Sequence, residues 1–280
     1  MIQLHSEHDI QEHCDSSPTP LVLVPTMGAL HEGHFSLIRK AKELAGEHGK
    51  VVVSIFVNPI QFDRAQDLDS YPQPIAQDLQ HCERLGVDYV YTPKSEDFYF
   101  EDRSIEVSEN SLSSLLCGAT RPGHFNGVCM VITKLFNILQ PTAAIFGQKD
   151  YQQLAIIRRL VRDLSFRTEI TAHPTVREVS GLAMSSRNVG LSSEELSLAP
   201  AIREGLLKAR ELYASGEKST DRILSKFRLH LDRRAPLSKI DYLECVCADT
   251  LQALTKVDRP AVIATAVFFG PVRLIDNIVL

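Results

Sequence analysis

The run Val51-Val52-Val53-Ser54-Ile55-Phe56-Val57 is apolar on both of its faces. Alternate residues of a strand point to opposite sides, so such a run needs cover on each side, as a parallel sheet between helical layers provides. Residues 21–24 read the same way, and further strand-like runs fall at 88–91, 143–146 and 168–176. Amphipathic stretches lie between them. Residues 34–44 place Phe35, Ile38, Ala41 and, just beyond, Ala45 on one face; 74–85, 128–139 and 151–164 are the others, the stretch at 128–139 stopped before Pro141. Strands alternating with helices predict an α/β fold with a parallel sheet covered by helices on both faces.

The pattern changes near Asn188. Ser192 and Glu195 form a capping-box signature, predicting one long helix to about Ala214, broken by Ser215-Gly216 and followed by a second through about Arg233. Three strand-like runs without long helical connections follow, at 240–246, 261–268 and 273–278. They predict a smaller C-terminal α+β domain with an antiparallel sheet. The boundary falls within 177–190 and is drawn between a domain of residues 1–183 and one of residues 184–280.

A net charge of −5 over 280 residues gives no basic field for nucleic acid or an anionic membrane, so small molecules are the expected partners. The first residues lack the basic and apolar regions of a signal peptide, and no apolar run approaches the ~20 residues of a membrane span. Six cysteines without a C-x-x-C pair read as reduced thiols of a cytoplasmic protein. Cys245 and Cys247 share a strand face, but two ligands do not make a metal site. His5, His8 and His13 lie in a polar stretch and read as solvated surface. Asp67, Asp69 and Asp78 are candidates for a metal shell, and no metal ligand is assigned among them.

Four segments carry candidate chemistry. Met27-Gly28-Ala29-Leu30-His31-Glu32-Gly33-His34 lies between the first long strand and the first long helix. In a parallel sheet this is the carboxyl end of a strand, where ligands bind, and the helix N-terminus favours phosphate. His31 and His34, three apart, reach one pocket if the helix begins between them, and their imidazoles are suited to donate to phosphate oxygens. Asn58 and Gln61 follow the second strand and offer neutral amides for hydroxyl and carboxylate groups. Gly147-Gln148-Lys149-Asp150 follows another strand, with Gln152 and Gln153 just beyond; Lys149 suits phosphate oxygens and Asp150 ribose hydroxyls. Met184-Ser185-Ser186-Arg187, after Gly181, suits phosphate through hydroxyls and a guanidinium. Neither a Walker A sequence nor a G-x-G-x-x-G fingerprint is present.

Residues Pro25–His34, Ser54–Phe62, Phe146–Gln153 and Gly181–Asn188, with Arg121-Pro122-Gly123-His124-Phe125, Lys134-Leu135-Phe136-Asn137, Asp241-Tyr242-Leu243-Glu244, Ala248-Asp249-Thr250-Leu251 and Arg273-Leu274-Ile275-Asp276-Asn277, resemble the pantothenate synthetases over nearly the whole chain. The resemblance implies a Rossmann-like domain of the H-x-G-H nucleotidyltransferases, ATP-dependent condensation of pantoate with β-alanine through a pantoyl-adenylate, Mg2+ with ATP, and a homodimer. It implies that residues 27–34, Gly147, Gln148, Lys149, Asp150, Val176, Met184, Ser185, Ser186 and Arg187 bind ATP. His34, His31, Lys149 and Arg187 would be catalytic, Gln61 and Gln153 would hold pantoate, and Gln61 would also meet β-alanine. Gln73, Thr142 and Val179-Ser180 stand where the family commonly has arginine, aspartate and a sequence with aspartate before the glycine. Two rivals are a nucleotidyltransferase that stops at nucleotide transfer and a non-catalytic nucleotide-binding regulator. The Asn58, Gln61 and Gln153 amides and the 181–187 loop oppose the first; intact His31, His34, Lys149 and Arg187 oppose the second.

Overall fold

The computed structural model describes residues 1–14, 19–63 and 65–280, with every side chain among them except those of Ala65 and Gln66. Its contacts divide the chain into two units: Met1–Asn110, Arg121–Gln148 and Gln153–Pro174 form one, and Ser111–Thr120, Lys149–Gln152 and Thr175–Leu280 the other.

In chain order come β1 (Ile2–Leu4), α1 (Glu7–His13), β2 (Leu21–Thr26), α2 (Glu32–Ala45), β3 (Lys50–Ile55), α3 (Ala65–Asp69), α4 (Ile75–Arg84), β4 (Tyr89–Tyr91) and α5 (Ser95–Phe98). After α6 (Leu116–Ala119), which belongs to the second unit, follow α7 (His124–Leu139), β5 (Ala143–Gly147), α8 (Tyr151–Asp163) and β6 (Glu169–His173). The six strands form one parallel sheet in the order β1-β4-β3-β2-β5-β6. The chain moves outward from β2 through β3 to β4, then returns to place β5 on the other side of β2. The carboxyl ends of β2 and β5 therefore flank a topological switch point, the usual ligand crevice of open α/β sheets. The parallel sheet expected from the sequence is present.

One face of the sheet buries Val22, Val24, Val51, Val53 and Val90 with Leu37, Ile38 and Ala41 of α2 and Cys82 of α4. The alternate residues Leu23, Val52 and Ala144, inaccessible to solvent, face the opposite side. Burial pushes the thiols of Cys82 and Cys129 up to about 12 and that of Cys245 to about 11, keeping them protonated, and none of the six cysteines is in a disulfide. Among the described residues no helix is long and apolar enough to cross a membrane.

The N-terminal stretch is more ordered than its polarity predicts. Ser6 and Asp9 make a capping box that starts α1, whose Ile10 is buried, and β1 adds to the sheet beside β4. His5 and His8 are exposed, but His5 Nδ1 lies 2.9 Å from Thr92 Oγ1, so it is not simply solvated.

In the second unit, β7 (Lys239–Cys247), β8 (Ala261–Phe269) and β9 (Val272–Val279) form the expected antiparallel sheet. Ile263, Val267 and Leu274 share an apolar cluster with helical residues, among them Leu206 and Phe227. The helical region corrects the sequence reading. Ser192 and Glu195 do form a capping box, but the helix they start, α9 (Ser193–Leu198), ends before α10 (Ala201–Ala214) begins; α11 (Thr220–Arg234) follows. Ala199 and Pro200 keep right-handed helical torsions. Pro200 has no N–H to continue the ladder, so one helix becomes two.

Candidate active site

The loop after β2 turns through Gly28 and Ala29, at φ 82° and 50°. Thr26 Oγ1 donates to the Ser54 carbonyl at 2.8 Å and accepts from the Gly28 N–H at 3.1 Å, fastening the turn to β3. Asp78, in the first turn of α4 and 1% exposed, accepts from the N–H groups of Ala29 and Leu30, each at 2.8 Å. A left-handed alanine costs on the order of 1 kcal/mol, and two charge-assisted bonds offset it. Position 28 tolerates only glycine at this approach, since a Cβ there would lie 2.9 Å from Asp78 Oδ2. Asp78, one of three acidic residues considered for a metal shell, instead holds the loop.

That loop delivers His31 to the N-cap of α2, so the helix begins between the two histidines, as their spacing requires. The Gly33 N–H donates to His31 Nδ1 at 3.1 Å, and the His31 N–H donates to His34 Nδ1 at 3.3 Å. Each Nδ1 is an acceptor, so each neutral ring carries its proton on Nε2. The rings lie 4.2 Å apart between centroids. The result is a pair of fixed N–H donors at the positive end of a helix. Glu32 turns along the helix to Arg39, whose hydrogen bond holds the carboxylate below its ordinary range.

Gln61, after β3, is buried and held from several directions. Its side-chain oxygen accepts from Asn58 Nδ2 at 3.0 Å, and its Nε2 donates to Met27 Sδ at 2.8 Å. The same Asn58 nitrogen donates to the Gly127 carbonyl at 3.0 Å, while Asn58 Oδ1 accepts from the Tyr99 hydroxyl at 2.9 Å. Burial pushes the Tyr99 phenol up, so it remains a donor. Asn58, expected to face a ligand beside Gln61, is thus engaged by the fold and acts by holding Gln61. His124 Nδ1 lies 2.8 Å from the Gln61 carbonyl, and its Nε2 lies 3.1 Å from Arg121 Nη1. A guanidinium only donates, which puts the imidazole proton on Nδ1 and aims it at Gln61. Gly127 completes the seat: a Cβ there would stand 2.6 Å from Gln61 Cα and from the Ile60 carbonyl oxygen. His124 and Gly127 were not singled out as site residues in the sequence, which shows the motif around them but not its contact with Gln61.

At the carboxyl ends of β2, β3 and β4 lies an open cleft of about 440 Å³, lined by Met27, Gly28, Phe56 and Asp78 and by residues 92–96. Its size falls in the range of small-molecule sites. Gln73 lines it too. Gly147 ends β5, and Gln148 follows in a short 3-10 turn.

The second unit carries a cationic cluster of its own. Residues 176–184 form a tight hairpin in which the Glu178 N–H donates to the Leu182 carbonyl at 2.8 Å and the Met184 N–H to the Val176 carbonyl at 3.0 Å. Ser185 then caps the turn containing Ser186 and Arg187 by accepting from the Arg187 N–H at 3.3 Å. Lys149, Ser185 and Arg187 line one narrow cavity of about 10 Å³, room for roughly one water, with Arg273 and Asp276. Arg273 is bonded to Asp241 at 2.7 and 2.9 Å. Arg187 is exposed and has no ion-pair partner among the described residues, and the nearest carboxylate to Lys149, that of Asp150, stands 3.9 Å away. Lys149 thus has one long ion pair, and Arg187 has none among the described residues. Gln152, buried at the start of α8, donates to the carbonyls of Leu112 and Leu115, whereas Gln153 is only partly buried.

The pantoate-beta-alanine ligase family model matches residues 3–279. A pantothenate synthetase of Akkermansia muciniphila is 50% identical, covering 99% of this chain and 95% of the relative. One of Thermosipho melanesiensis is 51% identical, over 91% of this chain and 90% of its own. The crystal structure of pantothenate synthetase from Thermus thermophilus superposes with a TM-score of 0.93 at 39% identity, covering 99% of both chains. The pantoate-beta-alanine ligase of Francisella tularensis, crystallised with beta-gamma ATP and beta-alanine, is 34% identical with a TM-score of 0.78, covering 100% of this chain and 97% of that one. The chain belongs to the pantoate–β-alanine ligase family. It is an amide-forming ligase whose reaction is the ATP-dependent condensation of pantoate with β-alanine.

The Asp78 seat in this ligase is open to a direct test. Asp78→Asn keeps the shape but turns an NH2 toward a backbone donor, leaving a buried group unsatisfied. Stability should fall by about 1–3 kcal/mol, read as a lower urea midpoint at unchanged slope. An unaltered midpoint would mean that the loop holds its left-handed turn without the carboxylate.

Proposed function

We propose that the reaction runs in two steps and that the residues just described divide the work. In the first, a pantoate carboxylate oxygen attacks the α-phosphorus of ATP, the bond to the β,γ-pyrophosphate breaks, and pyrophosphate leaves. In the second, the neutral amine of β-alanine attacks the acyl carbon of the pantoyl-adenylate, the bond to AMP breaks, and the amide nitrogen releases a proton. Activation is needed because a carboxylate has no usable leaving group, whereas AMP is a good one.

In this reading residues 27–34 receive ATP, with His31 and His34 donating from Nε2 to phosphate oxygens whose charge grows as pyrophosphate departs. The observation that carries it is the pair of bonds to Nδ1, which leaves a proton on each Nε2 at a helix N-terminus. Gly147, Gln148, Lys149, Asp150, Val176 and residues 184–187 complete ATP binding, with Lys149 and Arg187 balancing triphosphate charge. Their shared cavity, with Arg187 unpaired among the described residues and Lys149 only loosely paired to Asp150, supports that role. Gln61 and Gln153 bind pantoate, and Gln61 also meets β-alanine; the rigid seat of Gln61 suits an orienting amide. Closure of residues 184–280 over the nucleotide shields the anhydride from water until the amine arrives.

Among the described residues no cluster of three or more His, Cys, Asp or Glu side chains is arranged to hold a metal ion. Mg2+ would accompany ATP in this reading, and no residue of the chain is assigned as its ligand. When bound, it offsets phosphate charge. The protein is further assigned to the cytoplasm and to a homodimer; free thiols support the first and family membership the second.

Two outcomes follow. His34→Ala should slow adenylate formation by about 10²-fold or more, with pantoate affinity changed far less; single-turnover rapid quench without β-alanine reads both the rate and the intermediate. An unchanged rate removes His34 from the chemistry, and failure to trap any adenylate while pantothenate still forms removes the two-step path. Gly127→Ala must push the Gln61 backbone aside. It should raise the KM for pantoate about tenfold, equivalent to ~1.4 kcal/mol, with the KM for ATP nearly constant. Equal rises in both constants would show that Gly127 supports the fold rather than the seat of Gln61.

A further inference from the structure

Lys149 and the Arg187 loop are separated by more than 30 residues, yet both are tied to one dipeptide on β9. Asn277 Nδ2 donates to the Lys149 carbonyl at 2.9 Å, fixing the backbone that carries the lysine. Its neighbour Asp276, 4% exposed, accepts from both terminal nitrogens of Arg177, at 2.7 and 2.9 Å. One of those nitrogens, Nη1, also donates to the Gly181 carbonyl at 3.2 Å, across the hairpin whose far strand runs on into Ser185 and Arg187. Asp276 Oδ1 accepts in addition from the Asn277 N–H at 2.8 Å, locking the two residues to each other.

The electrostatics agree with the geometry. Burial and the adjacent Arg177 push Arg203 below the ordinary guanidinium range, and Asp276 opposes that shift. Asp276 is therefore the anion that lets two neighbouring guanidinium groups stand together in a poorly solvated place. Its removal would leave Arg177 charged, partly buried and repelled by Arg203, with no fixed direction for the Gly181 carbonyl.

We propose that Asp276 and Asn277 are positioning residues for adenylation, Asp276 setting the Arg187 loop through Arg177 and Asn277 setting Lys149 through its carbonyl. The proposal rests on the reading that Lys149 and Arg187 meet the triphosphate. Bidentate geometry matters because a carboxylate gripping a planar guanidinium at two points fixes orientation as well as distance. A phosphate-binding group displaced by about 1 Å forfeits much of its effect on the transition state.

The test is a pair of double-mutant cycles read by exchange of labelled pyrophosphate into ATP, with pantoate present and β-alanine absent. Asp276→Asn and Asn277→Ala should each lower the exchange rate about tenfold or more, with pantoate KM within about twofold of the parent enzyme. In the Arg187→Ala background Asp276→Asn should cost less than about twofold further, and Asn277→Ala should behave likewise in the Lys149→Ala background, because a residue acting through another loses its effect once that other is gone. Arg177→Lys, which keeps the charge but cannot grip both carboxylate oxygens and Gly181 together, should reproduce the Asp276→Asn defect and serves if that variant does not fold. Full effects persisting in the Arg187→Ala and Lys149→Ala backgrounds, or exchange unchanged in the single variants, would overturn the proposal. Normal exchange in Lys149→Ala and Arg187→Ala themselves would instead overturn the phosphate-binding reading beneath it.

Discussion

The two hydrogen bonds from the Ala29 and Leu30 N–H groups to the Asp78 carboxylate set the geometry on which the first unit's chemistry depends. They hold a left-handed turn at Gly28-Ala29 that an unsupported chain would seldom adopt. The turn decides where α2 begins, and that decides that His31 is its N-cap. Once His31 caps the helix, the Nδ1 atoms of both histidines are occupied by backbone donors and their protons are confined to Nε2. A buried acid in α4 thus fixes a tautomer in α2 without touching either imidazole. The sheet sets the stage for this, since parallel strands bring successive βα loops to one edge.

Much of this fold was legible because its signals are long and periodic. The doubly apolar run at 51–57 admits little but a covered parallel strand, and the amphipathic stretches between strands have the length of crossover helices. The errors lie where a short signal was weighed against a long one. The capping box at Ser192 was read correctly, but Pro200 was overlooked because its flanking residues continue the helical pattern; its missing N–H still divides the ladder. The N-terminal residues looked solvated because polar side chains dominate them. Ser6 and Asp9 nevertheless carry a capping signature, and Leu4 and Ile10 are buried.

The candidate site was legible as residue types and strand-end positions, but not as a division between residues that face a ligand and residues that hold them. Asn58 and Gln61 carry the same functional group three residues apart. Only the positions of Tyr99 and Gly127, distant in sequence, show that Asn58 is engaged by the protein. Gln152 and Gln153 repeat the lesson side by side, one bonded to the carbonyls of Leu112 and Leu115 and the other partly exposed. Asp78 had the composition of a metal ligand and the environment of an anchor. A sequence gives the donor inventory of a site; which donors remain for chemistry depends on long-range contacts that no local spacing encodes.

The two units carry different electrostatic characters, and the proposed reaction requires that difference. In the first unit the groups that would meet a substrate are neutral: an amide at Gln61, and imidazoles at His31 and His34 with a proton on one nitrogen. Lys149 and Arg187, by contrast, are cations with little internal compensation. A carboxylate gripped by arginine would have its charge drawn away from the oxygen that must attack phosphorus, becoming a poorer nucleophile. An amide orients the same carboxylate while leaving most of that charge on it. The triphosphate has the opposite need, because it must tolerate the approach of an anion and then release pyrophosphate, so positive charge there lowers both barriers. Keeping cations for the phosphate and amides for the carboxylate resolves a conflict that a uniformly basic pocket would create. It also explains why an acidic residue as costly to bury as Asp276 has a place in the second unit: it compensates Arg177, which is occupied with structure, and leaves Arg187 uncompensated.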